Sequence, residues 1–83
     1  MDKLNKNDID IAFFAFRYAL GRRTYAVSMV ADYLKNHWAE IDGKTQKKIQ
    51  DEIFQALDRG EAGDECDKAR WIEITKLKLT KKL

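Results

Sequence analysis

IDIAFFAFRYAL, residues 9–20, is the stretch on which the fold turns. Its only charges are Asp10 and Arg17, which stand seven residues apart and so share one side of a helix. A helix that is apolar nearly all round is expected to be buried nearly all round, which makes this segment the expected centre of the domain. Asn7 and Asp10 have the spacing of a capping box, with Asp in place of the usual Glu or Gln. Gly21 suits the left-handed position that ends a helix, and Thr24 suits the N-cap of the next one. Arg22 and Arg23 then span the turn between them.

Working outward, a second helix is expected to run to about Glu40, with Val27, Val30, Leu34, His37 or Trp38, and Ile41 as its apolar stripe. Asp42-Gly43 marks a turn. A third helix follows from about Thr45 to Arg59, with Ile49, Ile53, Ala56 and Leu57 inward and Lys47, Lys48, Asp51, Glu52 and Gln55 in solvent. The segment GEAGDE is the one clear loop, and Asp64 to Asp67 repeats an acid-capped helix start. After it, Ala69, Ile72 and Lys76 have helical spacing, whereas IEITKLKLT alternates like a strand. We read it as helix to about Leu77, with residues 76–83 a frayed basic tail.

Composition agrees with a small helical domain. Eighty-three residues suffice for one domain, and a 45% hydrophobic share is too high for a disordered chain. No proline and four glycines leave too few breakers for the many turns of a β-sandwich. The expectation is an all-α, compact four-helix domain with a buried first helix, spanning residues 1–83 as one unit. Nine aromatic side chains in so small an interior also point to self-association, with Trp38 or Trp71 at the contact.

The chemistry is sparse. One cysteine and one histidine rule out a disulfide framework and a Cys/His zinc cluster, and a lone thiol fits a reducing cytoplasm. The polar opening MDKLNKNDID does not read as a signal peptide, and the apolar run from Ile11 to Phe16 is too short to span a bilayer. The net charge of +2 conceals an uneven distribution: residues 51–67 hold seven acids against one arginine, and residues 76–83 hold four lysines and no acid. That balance is unlike a strongly basic nucleic-acid binder.

FRYALGRRTYAVSMVADYL, then Trp38, then CDKARW form a familiar set. Together they resemble a family of small phage- and prophage-encoded proteins with an FRYALGRxTY-like segment, a tryptophan near the end of the second helix and a CDxxxW motif. The motifs fall on Phe16 to Tyr25, on Trp38, and on Cys66, Asp67 and Trp71, and the likeness extends over about two-thirds of the chain. The family carries no settled activity, so the resemblance implies a phage origin more than a chemistry. The lysine-rich tail departs from its pattern.

Each candidate site has a plain counterpart. Arg17, Tyr18, Arg22, Arg23 and Tyr25 would form an anion-binding corner beside the N-terminus of helix 2. Equally, Arg17 would pair with Asp10 or with the acidic segment, leaving Arg22 and Arg23 solvated. Cys66 with His37 would make a nucleophile and base. The acids beside the thiol are a poor setting for that role, and a small buried packing residue is the better expectation for Cys66. Trp38 and Trp71 would join Tyr25 and Tyr33 in a stacking or interface surface, or else lie in the core. The acids of the loop lack the regular positions of a calcium site, and no cofactor or metal is expected. The resemblance and the missing catalytic set lead to a non-enzymatic binding protein in the host cytoplasm. It would occupy a host protein surface, for example an antiviral defence component, and also assemble with itself. The alternative partner is nucleic acid or a nucleotide at the Arg17–Arg23 corner; a membrane is not expected.

Overall fold

The computed structural model describes residues 6–20 and 26–79. They form four α-helices and no strand: α1 (Lys6–Ala19), α2 (Ala26–Asn36), α3 (Gly43–Arg59) and α4 (Glu65–Thr75), with a short 3₁₀ turn at Trp38–Glu40. The α1 helix packs on α2 and α3, and α4 lies across α2 and α3. The radius of gyration, 12.0 Å, is the value expected of a folded chain of this length. The expected turn at Gly21, Arg22, Arg23 and Thr24 falls outside the described residues, as does the tail beyond Leu79.

The first helix is the main correction. It buries one side only, through Ala12, Phe16 and Ala19, with Ile9, Phe13 and Leu20 partly covered. Its opposite side carries Ile11, Phe14 and Tyr18, exposed to 59%, 73% and 61%. The helix is apolar all round because it has two apolar faces, and the domain covers just one of them. It is also helical from Lys6, so Asn7 lies inside the helix and is not its cap.

The second helix follows its predicted stripe, burying Val27, Ala31 and Leu34, but stops at Asn36, short of Glu40. The chain tightens there because Trp38 turns into the core. Its indole N–H donates to the Lys78 carbonyl at 2.8 Å, and its own carbonyl accepts from Gln46 Nε2 at 2.7 Å. Gln46 is fully buried, and one turn later on α3 Gln50 Nε2 donates to the carbonyls of Ile74 (3.0 Å) and Leu77 (2.9 Å). Two glutamines therefore tie α3 to the start of the Trp38 turn and to the C-terminal end of α4, adding second donors to the Trp38 and Ile74 carbonyls that the Ile41 and Leu77 amides also reach.

Local signals set the remaining boundaries. Asp42 caps α3 by accepting from the Thr45 amide at 3.1 Å. Gly60, at φ 71°, ends it by donating to Ala56 and Leu57. Asp64 caps α4 by accepting from the Asp67 amide at 3.0 Å. The loop between them is not idle, since Ala62 is fully buried. The α4 helix ends at Thr75, two residues before the expected point, and buries Trp71 and Ile74. Trp71 meets Phe16 edge-on, with ring centroids 5.5 Å apart, at the middle of the core.

Candidate functional site

The outward side of α1 joins two residues of α2. On α1, Ile11, Phe14 and Tyr18 follow an i, i+3, i+7 spacing, which aligns them along one stripe. On α2, Met29 (62% exposed) and Tyr33 stand four residues apart, off the buried Val27–Leu34 stripe. Where the helices meet they leave a groove of about 320 Å³, lined by Ile11, Ala15, Met29, Val30 and Tyr33, with Asp8 at its edge. Five of the eight large hydrophobic side chains exposed among the described residues lie on this face; Phe54, Ile72 and Leu79 lie singly on other segments. Contiguous exposed apolar patches are rare on monomeric proteins and are often functional.

The arginine corner reads differently. A polar groove of about 620 Å³ lies between the end of α1 and the end of α3, lined by Arg17, Tyr18, Glu52, Arg59 and Glu61. Each arginine has a carboxylate beside it: Arg17 lies 3.8 Å from Glu52, and Arg59 lies 3.5 Å from Glu61. The expected pairing of Arg17 with the acidic segment is thus made, through Glu52. Arg22, Arg23 and Tyr25 lie outside the described residues, so the corner is represented by Arg17 and Tyr18.

The two tryptophans belong to the core. Trp38 is 7% exposed and Trp71 fully buried, which corrects their expected place on a binding or self-association surface. The Trp71 Nε1–H has no hydrogen-bond partner among the described residues. Cys66 is exposed, where a buried packing residue was expected. Its position on α4, five residues before Trp71, turns it away from the face that carries Trp71 and Ile74. His37 sits at the far end of α2, its Nδ1 3.2 Å from Glu40 Oε2 and its ring 4.5 Å from that of Tyr33. Among the described residues no three His, Cys, Asp or Glu side chains cluster to hold a metal ion. No helix there is long and apolar enough to cross a bilayer.

Among the described residues two groups have displaced acidities, both structural. Hydrogen bonding from Thr45 holds Asp42 below its ordinary value. The hydrogen bond from Lys35 Nζ, 2.6 Å away, and the charge behind it do the same for Glu73, tying α2 to α4 at the surface.

Sequence reasoning reached Tyr18, and Tyr33 as part of an aromatic surface with the tryptophans, and passed over Ile11, Phe14 and Met29. The signal was present: α1 has more apolar positions than one buried stripe can use, and the surplus falls on the opposite side. The chain matches no protein-family model, no curated protein and no solved structure.

Proposed function

We propose that this chain is a non-enzymatic binding protein that occupies the surface of another protein through the outer face of α1 and α2. The observation that carries the reading is the exposed stripe Ile11, Phe14 and Tyr18, continued by Met29 and Tyr33. Aromatic and methionine side chains at the centre of a contact, with charges kept to its edge, are the composition of a protein interface. The resemblance to small phage-encoded proteins supplies the setting: a host protein as partner, in the cytoplasm, with a component of antiviral defence as the target to test first. The alternative, a nucleic-acid or nucleotide-binding module at the Arg17–Arg23 corner, is weakened by the glutamates that accompany Arg17 and Arg59.

Affinity capture from a bacterial lysate, split into nuclease-treated and untreated halves, tests both readings. A protein retained equally in the two halves, and lost with the double variant Phe14→Glu, Met29→Glu, is the expected result once it has been identified and rebound as a purified component. Retention that disappears with nuclease, or survives the double variant, contradicts it.

A further inference from the structure

The outer stripe of α1 is flanked by two charges whose placement names an occupant. Asp10 and Arg17 are both exposed and lie on the same flank of the Ile11–Phe14–Tyr18 stripe, seven residues apart. The midpoint between them falls at Phe13–Phe14, and Phe14 is also the middle residue of the stripe. We propose that, in the protein alone, this face is covered by a second copy of the chain, with the two α1 helices antiparallel about a two-fold axis beside Phe14. The proposal rests on the reading of this face as a docking surface and assigns it one occupant.

The register follows from the symmetry. A two-fold axis perpendicular to both helices sets Phe14 against Phe14 of the second copy and Ile11 against its Tyr18. It keeps like flanks on the same side, so Asp10 faces Arg17 of the second copy and Arg17 faces its Asp10. Such an interface is closed and self-complementary. A parallel pairing, whose two-fold axis runs along the helices, would place the two charged flanks on opposite sides of the contact and leave Asp10 and Arg17 without these partners, so the charges favour the antiparallel arrangement. The groove gains a natural filler as well, because Ile11 lines it and Tyr18 of the second copy falls beside Ile11. The exposed contact of Arg17 with Glu52 at 3.8 Å is weak and leaves guanidinium donors for a second carboxylate. A face of this size sits at the low end of specific interfaces, so the association is expected to be micromolar.

Sedimentation equilibrium of the purified full chain, from low micromolar to near-millimolar concentration, tests the assignment. The weight-average mass should climb from the 9.7 kDa of the chain toward twice that value, and the association should weaken as salt rises. Asp10→Arg and Arg17→Asp should each weaken it by roughly tenfold or more, and the two together should restore most of it. Phe14→Glu, at a side chain exposed to solvent, should abolish it while keeping the circular dichroism melt that the wild type shows at concentrations where it is monomeric. A wild type that stays at 9.7 kDa throughout overturns the dimer and leaves capture of another protein by this face standing. A dimer indifferent to Phe14→Glu, or charge reversals that are harmless singly or unrescued together, places the contact elsewhere and overturns it equally. If a charge variant fails to fold, Phe14→Glu and the wild-type mass decide.

Discussion

Gln46 shows how a single polar residue can hold this domain together. Its amide is fully buried and donates to the Trp38 carbonyl, which the Ile41 amide also reaches at 3.1 Å, so removing it takes one of that carbonyl's two donors and empties a buried site. Gln46→Ala should cost about 0.5–1.5 kcal/mol from the lost hydrogen bond, plus a share for the lost volume, measured by urea unfolding. Gln50→Ala should cost less, because its partners at Ile74 and Leu77 lie nearer to water. Neither glutamine was legible as a core residue, because amide side chains are read as solvated until a particular carbonyl comes to meet them. The same holds in reverse for Cys66, which was expected inside by residue type and lies outside because of its angle on α4. For the tryptophans, type suggested a sticky surface, and the packing of Trp71 on Phe16 claims it for the core.

At the scale of elements, the cap of α4 was legible as an acid-capped start, that of α3 was read only as a turn at Asp42-Gly43, and the capping box expected at Asn7 lies inside α1. Asp42 and Asp64 announce α3 and α4 by side chains that reach the amide three residues on, chemistry that needs no tertiary context. Asp64→Ala should destabilise by about 1 kcal/mol in thermal or urea unfolding. The ends set by packing were not legible: α2 stops where Trp38 turns inward, and α4 stops where Gln50 takes up its last carbonyls. Acid should expose the capped and bridged carboxylates. Both Asp42 and Glu73 are held below their ordinary values, so each stabilises the fold above the carboxylate range of the unfolded chain. That contribution is lost as pH falls through their folded values. Through these two groups the melting temperature should therefore not vary with pH near neutrality and should fall below about pH 4. In the double variant Asp42→Asn, Glu73→Gln that acid limb should be shallower; an unchanged limb would assign acid sensitivity to other groups.

At the scale of the molecule, the all-α four-helix architecture was legible from breaker spacing and apolar periodicity, and the exposed apolar face was not. The rule that a helix apolar all round is buried all round assumes that everything able to cover it belongs to the same chain. Here α1 has one face for its own core and one left over, and the account of function depends on that surplus. Equilibrium urea unfolding of Phe14→Glu beside Phe16→Glu, at low micromolar concentration, tests this most directly. The two phenylalanines lie two residues apart on one helix, with Phe16 fully buried and Phe14 73% exposed. A carboxylate at position 16 enters the core without a partner and should abolish the cooperative transition. At position 14 it enters water and should leave stability within about 0.5 kcal/mol of the wild type. If Phe14→Glu unfolds the domain as thoroughly as Phe16→Glu, the first helix is buried on both sides and the outer face does not exist.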